Sequence, residues 1–210
     1  MNSPLVIIFQ LLVLIFSVMI HEISHGAVAL RLGDPTAKNA GRLTLNPLKH
    51  LDFIGSFLLP LALFFLGGPI FGWAKPVPYN PLRLKNPKAG AGLIGAAGPL
   101  SNILLAIVFG ILLRLLLPWS ALEVVGILIG LFQVIVLINI ALAIFNLLPI
   151  PPLDGSNILF ALLPRKYYLL QQFLARYGFY LLLFLIFFGG FNFIAPIILG
   201  LYRLIAGSAI

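Results

Sequence analysis

The amino-acid sequence contains no cysteine among its 210 residues. This absence excludes disulfide bonds, a thiol nucleophile, an iron–sulfur cluster held by thiolates and a zinc site built from them. Histidine and carboxylate side chains remain as candidate ligands for zinc.

Charge is also scarce. Only 9% of the residues are charged and 61% are hydrophobic, and the mean hydropathy is +1.14. A soluble domain has about 25% charged and about 45–50% apolar residues. The composition excludes a water-soluble core, a disordered chain and a collagen-like fibre. It predicts an all-α polytopic membrane protein, with residues 1–210 forming one membrane-embedded domain of about four to six transmembrane or re-entrant helices.

Acidic residues are fewer than basic ones, five against 13, and the net charge is +8. Nucleic-acid binding would need a solvated basic face, but here the basic residues flank apolar runs, so we predict no nucleic-acid partner. The segments 31–52, 74–88 and 163–176 hold every basic residue except Arg114 and Arg203. The excess of basic residues inside the cell predicts that all three segments are cytoplasmic.

Four apolar stretches are long enough to cross a bilayer, which takes about 20 residues. They are 4–31, 89–117, 122–148 and 177–203. A fifth stretch, 53–73, is interrupted by Pro60 and by Gly67-Gly68-Pro69. Because all three basic segments then share one side, we expect this stretch to be re-entrant, and the alternative is a full span. One strand-like element is expected after the first helix, at Thr36–Asn46.

The first apolar stretch contains the motif His21-Glu22-Ile23-Ser24-His25. Residues four apart share one face of a helix, so both imidazoles can reach one metal ion. Glu22 then lies beside that ion and can accept a proton from water. The alternative is a polar patch for helix packing, but ionisable groups inside a membrane helix are costly and usually functional. The motif therefore predicts a hydrolytic zinc site.

Two histidines do not complete such a site, because catalytic zinc usually has three protein ligands. The remaining candidates are His50, Asp34, Asp52, Glu123 and Asp154. We favour Asp154, because it follows three prolines that break the backbone, and broken backbone within a membrane lines a cavity or is covered by protein. A helix N-cap is a compatible role for the same residue. His50 is expected to be a hydrogen-bonding loop residue rather than a ligand.

Three motifs together resemble the site-2 protease family of intramembrane zinc metalloproteases. They are His21-Glu22-x-x-His25, Ala97-Gly98-Pro99-x-x-Asn102 and Asn146-x-x-Pro149-x-Pro151-x-Leu153-Asp154-Gly155. The resemblance implies one zinc ion held by His21, His25 and Asp154, with Glu22 as the general base. Members of this family typically add a PDZ or CBS domain, so this chain is expected to be a minimal, core-only member.

The resemblance also implies that Asn146, Pro149 and Pro151 help to hold the substrate. For Asn102 and Asn139 we expect only hydrogen bonds between helices. The implied activity is endopeptidase cleavage in or near the transmembrane segments of membrane-protein substrates. It would take place in a bilayer, expected to be a prokaryotic plasma membrane, with the site toward the cytoplasm.

The alternative function is a membrane zinc-binding protein or transporter without proteolytic activity. Transport predicts repeated ligand sets along a path, and the sequence contains one set. The position of Glu22 beside the histidine pair also favours hydrolysis over transport.

Overall fold

The computed structural model describes residues 4–65, 74–189 and 192–207. Helices dominate this part of the chain. In chain order they are α1 (Pro4–Arg31), α2 (Thr36–Asn39), α3 (Leu59–Phe65), α4 (Pro87–Leu116), α5 (Glu123–Asn146), α6 (Asp154–Leu162), α7 (Tyr168–Phe187) and α8 (Ile194–Ala206). Short 3₁₀ turns lie between several of them, and one turn of π-helix, Ile54–Leu58, leads into α3.

Four helical stretches are long and apolar enough to cross a membrane. They are Pro4–Arg31, Pro87–Trp119, Glu123–Asn146 and Arg165–Phe187. The protein is therefore an integral membrane protein, as its composition predicts. The first three stretches agree with the predicted spans to within a few residues.

The predicted span at 177–203 is wrong, because the helix breaks inside it. Helix α7 begins at Tyr168 and ends at Phe187, and Gly189 then adopts a left-handed conformation with φ of 69°. A left-handed glycine stops a helix at little steric cost. The first turns of α7 contain polar residues, so a prediction based on apolar runs alone places the start of this helix too late in the sequence.

Helix α4 lies at the centre of the bundle and packs against α1, α5, α6 and α8. At one end of the bundle α4, α5 and α8 share a buried cluster. Its members are Ala106, Leu113, Val136, Ile140, Tyr202 and Ala206. Arg114 donates a hydrogen bond to the Leu204 carbonyl beside this cluster, so the segments that carry Arg114 and Arg203 meet at the same end.

The three basic segments meet at the opposite end. Arg42 donates to the carbonyls of Lys75 (2.6 Å) and Pro76 (3.3 Å), and Lys88 donates to that of Leu163 (2.5 Å). These contacts link 31–52 to 74–88 and 74–88 to 163–176. Their common location is what the charge pattern predicts.

The residues that flank the segment 53–73 lie next to each other. The backbone N–H of Lys75 donates to the carbonyl of His50 at 2.9 Å. A single crossing of the bilayer would separate these residues by about 30 Å. The two ends therefore lie on the same side, as the re-entrant path requires, although residues 66–73 of this stretch lie outside the described residues.

The strand-like element predicted at Thr36–Asn46 is wrong: the described ranges contain no strand, and this segment holds α2 followed by bends. The cause is local hydrogen bonding by side chains. The Asp34 carboxylate accepts hydrogen bonds from the backbone N–H and hydroxyl of Thr36, which form an Asx turn just before α2. At the other end Asn46 caps the 3₁₀ turn Pro47–Lys49 by accepting from Leu48.

Candidate metal centre

His21 and His25 lie on one face of α1 and are both buried. Their ring centroids are 4.7 Å apart and the rings are nearly perpendicular, at 86°. This is the arrangement expected from a spacing of four residues on a helix. Both rings point toward α4 and α6.

Asp154 is the first residue of α6 and reaches both histidines. Its Oδ2 atom lies 2.9 Å from His21 Nε2 and 3.2 Å from His25 Nε2. All three potential ligand atoms lie within 4.8 Å of one another, and among the described residues this is the one group of three or more metal-binding side chains that we find. The structure therefore brings together the three predicted ligands, although His21 and Asp154 are 133 residues apart in the sequence.

The Nδ1 atom of each ring is engaged on the other side. His25 Nδ1 lies 2.6 Å from the carbonyl oxygen of Ile94, and His21 Nδ1 lies 2.6 Å from Asn102 Oδ1. Both partners are acceptors, so each Nδ1 donates its proton to them, and Nε2 is the nitrogen of each ring that faces the site of a metal ion. Partners of this kind orient histidine ligands in metal sites.

The donor set fits zinc. Two imidazole nitrogens and one carboxylate oxygen are the ligands of a catalytic zinc site, which keeps its fourth position for water or substrate. Gly98 of α4 leaves the space that these ligands need. A Cβ atom there would lie 2.4 Å from His21 Nε2 and 2.5 Å from His25 Nε2.

A second glycine, Gly155, brings Asp154 to this position. A Cβ atom on Gly155 would lie 2.2 Å from the Leu147 carbonyl oxygen and 2.4 Å from that of Leu148. The start of α6 thus folds back tightly against the chain that leaves α5. This close approach places the Asp154 carboxylate within reach of both histidines.

A buried polar network supports His21 from behind. Asn102 on α4 and Asn139 on α5 are fully buried, and Ser17 on α1 is 3% exposed. Asn102 Nδ2 donates to Asn139 Oδ1 at 2.9 Å, and Asn139 Nδ2 donates to Ser17 Oγ at 2.9 Å. The sequence predicts hydrogen bonds between helices for both asparagines, and these exist. The contact of Asn102 with His21 was not predicted.

Glu22 lies next to His21 in the chain and is partly exposed. Its Oε2 atom accepts a hydrogen bond of 2.8 Å from the backbone N–H of Val77. Val77 belongs to residues 74–80, which have no regular secondary structure and run past the site. No motif in the sequence indicates this contact.

The segment 74–80 is held at both ends. Near its start it accepts the hydrogen bonds from Arg42, and at its end the N–H of Asn80 donates to Asp34. Burial alone would raise the pKa of the Asp34 carboxyl, but hydrogen bonds from Thr36 and Asn80 outweigh it and hold that pKa below its ordinary value. Asp34 is therefore a structural anion rather than a metal ligand.

The other candidate ligands also lie elsewhere. His50 Nε2 lies 2.9 Å from the Thr44 carbonyl oxygen, which confirms a loop hydrogen bond. Asp52 accepts from the N–H of Gly55, at the start of the π-helical turn. Glu123 begins α5, at the end of that helix opposite Asn146.

The predicted substrate-binding residues lie where α5 ends and the chain turns toward α6. Asn146 is the last residue of α5, and its Nδ2 donates to the Leu142 carbonyl at 3.0 Å. Pro149 is exposed, and Pro151 packs beside Gly178 of α7. All three belong to the turn that leads to Asp154.

Comparison with known proteins gives a consistent result. Residues 120–189 match the model of peptidase family M50. YwhC of Bacillus subtilis, named as a zinc metalloprotease, is 41% identical over 159 residues, which are 74% of this chain and 69% of YwhC. MJ0611 of Methanocaldococcus jannaschii, also named as a zinc metalloprotease, is 33% identical over 75% of this chain and 72% of its own. No solved structure matches the chain.

A third relative, Rip2 of Mycolicibacterium smegmatis, likewise named as a zinc metalloprotease, is 31% identical over 69% of this chain and 53% of its own. These names indicate zinc, and the two histidines of α1 with the aspartate that begins α6 are a set of ligands suited to zinc. The chain therefore belongs to peptidase family M50, the site-2 proteases, and is a zinc metalloendopeptidase.

Proposed function

We propose that this protein cleaves peptide bonds in or near the transmembrane segments of other membrane proteins. The observation that carries the proposal is the location of the three-ligand group within a bundle of apolar helices. His21 lies 17 residues into α1, about 25 Å along its axis. A protease whose site lies at this depth is suited to substrates that enter from the lipid.

In this proposal His21, His25 and Asp154 hold one zinc ion. When bound, zinc polarises the carbonyl of the scissile bond and makes a water molecule more acidic. The three side chains come from two elements packed on α4, so the ligand geometry is set by helix packing before zinc binds. Gly98 keeps the space between the two imidazole nitrogens and α4 open.

Glu22 acts as the general base. It takes a proton from the attacking water and passes it to the leaving amine nitrogen. The N–H of Val77 fixes one carboxylate oxygen, and the other can face the water. A carboxylate oriented in this way needs no rearrangement before it accepts the proton.

Asn146, Pro149 and Pro151 hold the substrate backbone in an extended form. The Asn146 amide uses one N–H for Leu142, so its second N–H and its carbonyl oxygen can serve the substrate. The prolines cannot continue a helix, and they keep the turn after α5 irregular beside the site. A transmembrane substrate arrives helical and must be opened before its peptide bonds are accessible.

The purified protein in lipid vesicles should cleave a single-span transmembrane peptide, and a zinc chelator should stop the reaction. A water-soluble peptide of the same cleaved sequence, without its apolar flanks, serves as the matched control. Faster cleavage of the soluble peptide than of the embedded one would contradict the intramembrane role. The metalloendopeptidase activity itself would still stand in that case.

Asp154→Ala should bind markedly less zinc and lose cleavage activity, because only two imidazole ligands remain of the proposed three. Metal analysis of the purified variant, alongside the peptide assay, measures both effects. Glu123→Ala is the matched control, since it removes an acid at the far end of α5. Full zinc occupancy in Asp154→Ala would remove this aspartate from the ligand set.

We also propose that the site faces the cytoplasm of a prokaryotic cell. The three basic segments that meet at one end of the bundle support this orientation. Since the chain has no cysteine, Lys85→Cys introduces a unique thiol at an exposed position of the loop before α4. We expect an impermeant maleimide to label it only after the cells are opened, whereas labelling in intact cells would reverse the orientation.

A further inference from the structure

Three polar side chains lie behind the metal centre, inside an otherwise apolar bundle. Ser17, Asn102 and Asn139 come from three different helices and are at most 3% exposed. Burying an amide without partners is costly, and a simple helix-packing role would require only that each amide is satisfied. The network does more than this, because it ends on a metal ligand.

The direction of every hydrogen bond in the network is fixed. Asn139 Nδ2 donates both to Ser17 Oγ and to the Ile135 carbonyl, each at 2.9 Å, so the carbonyl oxygen of its side chain must face Asn102. That oxygen accepts from Asn102 Nδ2 at 2.9 Å, and the same nitrogen lies 3.3 Å from the Ser17 carbonyl. The Asn102 Oδ1 atom is thereby turned toward His21.

We propose that Asn139 is a positioning residue for the metal centre. Acting through Asn102, it keeps the proton of His21 on Nδ1 and so presents the Nε2 lone pair to the metal ion. If the Asn102 amide rotated by half a turn, its NH₂ group would face His21 Nδ1. The ring would then have to place its proton on Nε2, and His21 could no longer bind a metal ion through that atom.

The two histidines differ in the kind of group that accepts the hydrogen bond from Nδ1. His25 donates to a backbone carbonyl, that of Ile94, which has one possible orientation. His21 depends on a side-chain amide, which has two. Asn139, through the shorter of the two hydrogen bonds that Asn102 Nδ2 donates, disfavours the second orientation, and the Ser17 carbonyl adds to this effect. The Ser17 hydroxyl and the Ile135 carbonyl hold Asn139 in turn.

The inference rests on the ligand set proposed above, and affinity for zinc in the metal-free protein tests it without reference to catalysis. Asn139→Leu should weaken zinc binding about 10- to 100-fold in a chelator competition, the usual effect of losing a supporting partner. The absorption bands of the cobalt-substituted protein should also shift. Asn139→Asp, whose carboxyl is expected to be neutral in this buried position, should restore most of the affinity, because one oxygen still accepts from Asn102 and the hydroxyl can donate to the Ile135 carbonyl.

Gln133→Leu is the matched control, since it removes an amide from the same helix six residues away. We expect zinc affinity and the cobalt spectrum to remain as in the wild type. A purely structural role for Asn139 would lower the thermal stability of the metal-free protein in Asn139→Leu and leave zinc affinity unchanged. That result would overturn the proposal.

Two further variants separate the possible failures. If Asn139→Leu does not fold, Asn139→Ser is tested in its place, because serine is too short to reach Asn102. Wild-type zinc affinity in folded Asn139→Ser would overturn the proposal. His21→Ala tests the ligand set itself. If zinc binding survives His21→Ala, the ligand assignment is wrong, whereas loss in His21→Ala with full affinity in Asn139→Leu refutes only the positioning role.

Discussion

Glu22→Gln should lower the rate of peptide cleavage by about 10²- to 10⁴-fold, the usual contribution of a positioned general base. The substitution replaces the proton acceptor with an amide of the same shape and leaves the proposed ligands His21, His25 and Asp154 in place. The zinc content should therefore stay at one ion per chain. Metal analysis and the peptide assay on the same purified sample measure the two quantities together.

The control for this substitution is Glu123→Gln, the same chemical change at the start of α5. It should affect neither zinc content nor cleavage. If Glu22→Gln instead keeps the wild-type rate, Glu22 is not the base. If it loses both zinc and activity, the carboxylate has a role in metal binding that the contact with Val77 does not indicate.

Gly98→Ala should abolish zinc binding and activity, because the site has no room for one more methyl group. The added Cβ would lie within 2.5 Å of the Nε2 atoms of both histidines. These are the atoms that must approach zinc to about 2.0–2.1 Å. Helix α1 would have to move away from α4, which would also separate His21 from Asn102.

Gly130→Ala is the control, because a Cβ atom at this position of α5 has no neighbour within 4 Å. Alanine favours a helix over glycine, so this variant should be as stable as the wild type and fully active. Zinc binding of Gly98→Ala is measured by competition with a chelator. Wild-type affinity would mean that α1 and α4 are further apart than the structure has them.

The three proposed metal ligands were predictable from the sequence because their signals are local. The spacing of His21 and His25 follows from helix geometry alone, and the prolines before Asp154 mark a backbone break that needs no tertiary information. The arrangement of basic residues similarly indicated which loops share an end of the bundle. The contact between Lys75 and His50 agrees with that prediction.

The supporting residues were not predictable in their roles. An asparagine in an apolar helix indicates a hydrogen bond between helices, but the partner depends on helix register and rotation, which no local pattern specifies. Asn102 and Asn139 are cases of this kind, and Val77 is another, because its backbone N–H carries no sequence signature. The misplaced fourth span has the opposite cause, since the apolar run continues past a break that a single left-handed glycine makes.

The long separation along the chain between His21 and Asp154 has a consequence for biosynthesis. While the protein is being made, the first helix enters the bilayer with its histidines long before the residue that joins them has been translated. The proposed ligand set stays incomplete until α6 has packed against α4. A nascent chain passing through the insertion machinery would therefore lack a complete ligand set, and proteins beside it there would be safe from cleavage until α6 has formed.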